Sequence, residues 1–175
     1  MRQNVHHKPS NDEDQGLWAR IISGDKDALG QLFDNYAKEL LVYGYRISKN
    51  SELTKDTIQD VFVDLWVYRE NLSAEVQVKF YLLRCLRNSL RKQMGRIALS
   101  TIELSDNDEF SDLEATPEQE WMALEASRER DQHLLGMLTL LSEREREVVS
   151  LKYYSSLKIK EIAVLLSLRE QTIAN

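Results

Sequence analysis

Residues 78–120 read VKFYLLRCLRNSLRKQMGRIALSTIELSDNDEFSDLEATPEQE, and a reversal of charge inside this stretch decides how the chain folds. From Lys79 to Arg96 the charged residues are Lys79, Arg84, Arg87, Arg91, Lys92 and Arg96, with no acid among them. Leu82, Leu83, Leu86 and Leu90 recur at helical spacing and give the same stretch a side to bury. A basic amphipathic helix is therefore expected from about Val76 to Arg96. From Ala98 to Glu120 the sign flips. Glu103, Asp106, Asp108, Glu109, Asp112, Glu114, Glu118 and Glu120 meet no Lys or Arg, and the apolar residues lose their period. Such a segment repels itself and has little to bury, so it is expected to be an extended linker and a domain boundary.

Working back from the basic helix, Ile58, Val61, Phe62, Leu65 and Trp66 form an apolar stripe on a helix between about Leu53 and Tyr68. Its other face carries Lys55, Asp56, Gln59, Asp60 and Asp64. SKNSEL separates it from an earlier helix striped by Leu29, Leu32, Phe33, Tyr36, Ala37, Leu40 and Leu41, with Asp25 placed to cap it. Leu17, Trp18, Ile21 and Ile22 mark a short first helix that Gly24 stops. Residues 1–13 are polar and aperiodic and read as a disordered tail. His6 and His7 in it have no acidic or cysteine partner at ligand spacing.

Beyond the linker, Thr116-Pro117-Glu118-Gln119 has the form of a capping box, with Pro117 at the first helical position. A helix is expected from there through Trp121, Leu124 and Leu135 to Leu141. Ser142-Glu143-Arg144-Glu145 is a second capping box before Val148, Val149 and Leu151. The final residues, KEIAVLLSLREQTIAN, have helix-turn-helix spacing, with Ile162, Ala163 and Leu166 on the first helix, Leu168 in the turn and Ile173 on the second. Arg169, Glu170, Gln171, Thr172 and Asn175 would then be exposed. Guanidinium, amide and hydroxyl groups of this kind read base edges in a major groove. An ordinary helical hairpin has the same spacing.

No β-branched alternating run bounded by turn signals occurs, so the fold class is all-α: two small helical domains joined by an acidic linker. The boundaries are a tail at 1–13, a helical domain at 14–97, the linker at 98–120 and a helix-turn-helix domain at 121–175. With 23 Lys and Arg against 29 Asp and Glu the formal charge is −6, an average that hides the asymmetry just described. One cysteine, Cys85, excludes an internal disulfide framework. The N-terminus lacks a signal-peptide core, and no window approaches the roughly 18 apolar residues of a bilayer span. A cytoplasmic protein with no direct membrane insertion is expected. No phosphate loop, metal-ligand cluster or nucleophile-base grouping is evident, so the chain is expected to be no enzyme and to carry no cofactor or metal.

The acid-free stretch invites phosphate contact, because binding DNA requires neutralising its charge. Phe80 and Tyr81 beside cations, with Asn88 two turns along from Tyr81, are the groups on which unpaired bases stack. A merely solvated basic face is the alternative. Gln59, Asp60 and Asp64 are either solvated surface or a protein-docking face.

Five segments in order, GDKDALGQLFDNY (24–36), DTIQDVFVDLW (56–66), VKFYLLRCLRN (78–88) with LRK (90–92), LSEREREVVSLKYY (141–154) and KEIAVLLSLREQTIAN (160–175), resemble the extracytoplasmic-function (ECF) sigma factors of RNA polymerase. The resemblance covers about residues 14–175. It implies that the chain binds core RNA polymerase and directs promoter recognition and opening. It implies docking of Gln59, Asp60 and Phe62 on the clamp helices of the polymerase β′ subunit. Capture of the melted minus-ten strand would fall to Lys79, Tyr81, Arg84, Arg87, Asn88, Arg91 and Lys92, with the loop Glu70 to Glu75 holding a flipped base. Residues 121–175 would bind the β flap and read the minus-thirty-five element through Arg169, Glu170, Gln171, Thr172 and Asn175. An anti-sigma factor is the implied regulator.

The chain departs from the family in four places. Tyr81 stands where Trp is usual, and Ser167 where a turn glycine is common. Lys158 stands where Ser often caps a helix, so Ser155 or Ser156 is expected to substitute. The chain also ends at Asn175, early in the recognition helix, so weak binding to an isolated minus-thirty-five duplex is expected. Two other functions fit parts of the sequence. A helix-turn-helix regulator that never joins polymerase accounts for residues 121–175, and a sigma-like decoy accounts for the scaffold without initiation.

Overall fold

The computed structural model describes residues 11–104 and 141–174, and within those residues all regular structure is helical. The tail before residue 11, most of the acidic stretch, the Thr116 capping box, the helix expected through Trp121, Leu124 and Leu135, and Asn175 lie outside the described residues. The chain divides into two compact units, Met1–Ala98 and Leu99–Asn175.

The first unit is built on α1 (Asn11–Ile22), α2 (Lys26–Ser48), α3 (Ser51–Val67), a 3-10 turn (Arg69–Asn71) and α4 (Val78–Leu104). Each boundary has a local cause. Gly24 takes φ +90, which a side chain would resist, and the Asp25 carboxylate then accepts hydrogen bonds from the N–H groups of Asp27 and Ala28 to start α2. Lys49 closes α2 in the left-handed region at φ 54, and the Asn50 side chain accepts from Leu53 N at 2.9 Å to open α3. The SKNSEL break is thus a C-cap followed at once by an N-cap.

The leucine stripe of α4 forms the centre of the unit. Leu82, Leu86 and Leu90 are wholly buried and Leu83 nearly so, among Trp18, Ile21, Leu32, Leu40 and Tyr43. Fully burying side chains of this size contributes about 1.5–3 kcal/mol each. Helices α2, α3 and α4 come together at Gly44, where an added Cβ would lie 2.5 Å from Thr54 Cγ2 and 3.3 Å from both Leu86 and Leu90. The hydroxyls buried beside this contact are satisfied locally. Thr54 Oγ1 bonds Asn50 O at 2.7 Å and Ser48 Oγ at 2.8 Å, and Thr57 Oγ1 donates to Leu53 O at 2.6 Å.

Two boundaries differ from expectation. Helix α1 takes in residues 11–13, which were expected in the tail, because Asp12, Glu13 and Asp14 suit the positive end of a helix. Helix α4 continues to Leu104, past the expected stop at Arg96 and into residues assigned to the extended linker. Residues 97–104 contain neither Gly nor Pro and only one acid, Glu103, so nothing in them ends a helix.

One buried polar group gives the first unit a pH dependence. Asp14 is 5% exposed, Tyr36 OH donates to one of its carboxylate oxygens, and the other is buried without a partner. Burial pushes the carboxyl above its ordinary value, with Glu13 and Glu39 adding to the rise against the pull of Tyr36 and Lys79. A carboxyl raised in the folded state favours folding below its unfolded pKa near 3.8, and that contribution is lost as pH rises through the folded value. Asp14→Asn is therefore expected to raise the Tm at neutral pH and to flatten its decline as pH rises from about 4 to neutral. Thermal unfolding across that range checks this, and parallel curves for the two proteins would count against it.

In the second unit, α5 (Glu143–Val149) runs into a π-helical turn (Ser150–Tyr154), followed by α6 (Ile159–Leu166) and α7 (Glu170–Ala174). The Ser142 capping box forms as expected: Glu145 N donates to Ser142 Oγ at 3.3 Å, and Ser142 N donates to the Glu145 carboxylate at 2.8 Å. Helix α6 starts differently. Its cap is Glu161, whose carboxylate accepts from the Lys158 N–H at 2.7 Å, whereas Ser155, expected as a substitute cap, has its hydroxyl buried without a hydrogen-bond partner. Leu151, Leu157, Ile162, Ala163, Leu165 and Leu166 form the core.

Candidate nucleic-acid interface

A face that meets phosphates needs cations that are exposed and uncommitted, and α4 sorts its cations on both counts. Arg84, Asn88, Arg91, Lys92 and Arg96 are exposed and recur at three- and four-residue intervals, so they share one side of the helix. Lys79 and Arg87 are not part of that row. Lys79 Nζ is paired with Glu39 at 2.7 Å with both side chains 19% exposed, and Arg87 is 7% exposed. Both were expected on the DNA face, and both lie on the leucine side of α4, apart from the exposed row.

Tyr81 is half-buried. Its ring meets Trp18 edge to face, centroids 5.1 Å apart at 68°, and burial with the neighbouring Cys85 pushes its phenol up to about 12. Its hydroxyl and the Cys85 thiol hydrogen-bond each other, and burial likewise raises the thiol above its ordinary value. Cys85 is therefore a packed thiol (only partly exposed) rather than a reactive one.

Between α3 and α4 the chain from Leu72 to Gln77 has no regular structure, and Ser73, Ala74 and Glu75 are exposed. Its carbonyls turn inward. Trp18 Nε1 donates to Ser73 O at 2.9 Å, and the Gln15 amide donates to Val76 O. The 3-10 turn before it is fixed by Arg69, which stacks on Trp66 with its guanidinium 4.6 Å from the ring centroid and donates to Trp66 O at 2.9 Å.

The second face lies on α3. Gln59 and Asp60 are exposed as expected, but Phe62 is 6% exposed and meets Phe33 edge to face at 5.1 Å. Phe62 supports the face from within and is not part of it. The sequence reading missed Val63 and Val67, 59% and 57% exposed, which follow Gln59 at four-residue steps and make the face apolar as well as acidic. Gln93 of α4 touches its edge, its Oε1 lying 3.2 Å from Thr57 Oγ1 and its amide donating to Asp60 at 3.5 Å.

In the second unit, α6 and α7 have helix-turn-helix form. Ser167 makes the turn in the left-handed region at φ 55, a conformation expected of the glycine it replaces. Arg169, Glu170, Gln171 and Thr172 are exposed, while Leu168 and Ile173 are half-buried under them. Among the described residues, no cluster of His, Cys, Asp and Glu is grouped to hold a metal, and no helix is long and apolar enough to cross a membrane.

The second unit thus carries a helix-turn-helix, and the first an exposed cationic row on a long helix. Residues 132–175 match the family described as Sigma-70, region 4. The curated proteins contain no match to the chain. Among solved structures, CnrH in complex with the cytosolic domain of CnrY is 19% identical with a TM-score of 0.58, covering 92% of this chain and 87% of that one. The sigma factor RpoE in complex with the anti-sigma factor NepR from Bartonella quintana is 20% identical with a TM-score of 0.61, covering 83% and 86%. At these identities the likeness is one of fold. The match on residues 132–175 agrees with the resemblance of the sequence to the ECF sigma factors.

Proposed function

We propose that this chain is an ECF-type sigma factor, which binds core RNA polymerase and directs it to promoters that it helps to open. The observation that carries this is the Sigma-70 region 4 match on residues 132–175. The two faces of the first unit support it: an exposed cationic row on α4, and an acidic, partly apolar face on α3 that DNA would repel and a protein would not.

On this reading the first unit is the promoter-melting domain. The α3 face of Gln59, Asp60, Val63 and Val67 docks on the β′ clamp helices. Arg84, Asn88, Arg91, Lys92 and Arg96, with the exposed edge of Tyr81, hold the melted minus-ten strand, and the loop from Glu70 to Glu75 receives an extruded base. Flipping a base costs a few kcal/mol, which a preformed surface offsets. The second unit meets the β flap and reads the minus-thirty-five element through Arg169, Glu170, Gln171 and Thr172, with Asn175 outside the described residues. The reaction chemistry belongs to the polymerase, the site of action is the cytoplasm, and an anti-sigma factor is the regulator. The solved relative RpoE is itself held by one.

Reconstituted transcription with core polymerase tests this. Promoter-specific initiation that depends on the added chain is the expected result. DNA binding without initiation or core association would replace it with a helix-turn-helix regulator, and core association without initiation with a decoy. Within the same assay, Asp60→Ala is expected to weaken core binding roughly tenfold, the loss typical of removing one charged hydrogen-bond partner. Its circular dichroism should be unchanged, because Asp60 is exposed. Undiminished co-purification with core would sink the docking assignment.

A further inference from the structure

The geometry points to α1 as the brace that positions the promoter-reading loop, with Trp18 and Gln15 as its positioning residues; this rests on the sigma-factor reading above. An open loop between two helices has many conformations, and holding one of them requires contacts from outside the loop. Those contacts come from a helix more than fifty residues earlier in the chain. Trp18 is wholly buried, donates its indole N–H to Ser73 O at 2.9 Å and meets the Tyr81 ring edge to face at 5.1 Å. One side chain thus touches both parts of the minus-ten reader, the loop and the aromatic position on α4. Gln15, one turn earlier on the same helix, donates its amide to Val76 O, two residues before α4 begins.

The direction of these bonds matters. Both donors take backbone carbonyls and pull them toward α1, while Ser73, Ala74 and Glu75 remain exposed on the outer side. The loop is gripped from behind by its main chain, and its side chains are left for whatever approaches from solvent. Each bond can be removed with little change in volume. A phenyl ring at 18 keeps most of the apolar volume but has no N–H, and a methionine at 15 keeps the length of glutamine but has no amide. A loop released in this way should still bind a strand by its phosphates while losing discrimination among bases, since small misplacements are costly where recognition depends on fixed geometry.

Full-length wild type, Trp18→Phe and Gln15→Met, each assembled with core polymerase, would transcribe a promoter library randomised across both elements. Sequencing of the transcripts reads base preference at each position. The expected result is a fall of about tenfold in minus-ten base preference for both variants, the scale of one lost hydrogen bond. Preference at the minus-thirty-five element and core affinity should stay as in wild type. Equal loss at both elements, or unchanged minus-ten preference in Gln15→Met, overturns the inference. Gln15 is only half-buried, so its variant keeps the test valid if Trp18→Phe fails to fold. A wild type that selects no promoter overturns the sigma-factor reading and this inference with it.

Discussion

Replacing Arg84, Arg91 and Lys92 together with Ala is expected to lower promoter opening by roughly two orders of magnitude, taking somewhat under tenfold for each exposed cation. All three lie on the open side of α4, and none is placed to support the core. The signature is electrostatic as well as kinetic. If each cation meets one phosphate, the slope of log K against log salt should fall by about 3, evenly across promoter sequences. Arg87→Ala is the matching control. Being buried, Arg87 should lower the Tm of the first unit when truncated, while the salt slope holds. Opening by the triple variant at the wild-type rate, or a loss with unchanged salt dependence, would reduce the cationic row to solvated surface.

Gly44→Ala should cost the first unit about 1–2 kcal/mol, even though alanine is the better helix former. Helix propensity returns roughly 1 kcal/mol, but the new methyl must enter a space where Thr54 Cγ2 is 2.5 Å away. Thr54 cannot turn aside easily, because it is fully buried and its hydroxyl is engaged by Ser48 and Asn50. Leu86 and Leu90, wholly buried themselves, close the other sides. For a unit of this size the loss should appear as a drop in Tm of about 5–15 °C. Thr54→Ser supplies the test of cause, since it removes Cγ2 and keeps the hydroxyl. In that background Gly44→Ala should be nearly neutral, and simple additivity of the two substitutions would show that the contact at Gly44 is not the origin.

Much of this architecture is legible in the sequence because it is local. The leucines of α4, the Asp25 cap and the Ser142 capping box each follow from spacing within a few residues, and each is found where spacing puts it. Three residues expected at the site are buried or half-buried for one reason. Lys79 is three and four residues from Leu82 and Leu83, and Arg87 lies between Leu83 and Leu90 at the same intervals, so both belong to the buried side by period alone. Phe62 likewise sits in register with Ile58 and Leu65. At these positions charge and family motif point to a binding role, and periodicity foretells the burial that is found. Val63 and Val67 escaped notice for the converse reason, being apolar residues on the polar side of the stripe.

What spacing cannot supply is the meeting of distant segments. Nothing near Gly44 announces that Thr54, Leu86 and Leu90 converge on it. Nothing in residues 70–77 announces that Gln15 and Trp18 hold their carbonyls. The same holds for α6, where the missing serine cap is replaced by Glu161, a carboxylate reaching back along its own first turn.

The separation of charge between α3 and α4 bears on timing. The formal charge of −6 is unevenly divided: residues 1–98 carry 15 Lys and Arg against 13 Asp and Glu, and residues 99–175 carry 8 against 16. Within the first unit the charges nearly balance, so a partner that covers the acids of α3 would leave a field more attractive to phosphate. On the sigma-factor reading the two bindings are coupled through charge: the nucleic acid would be held more strongly once the partner is in place.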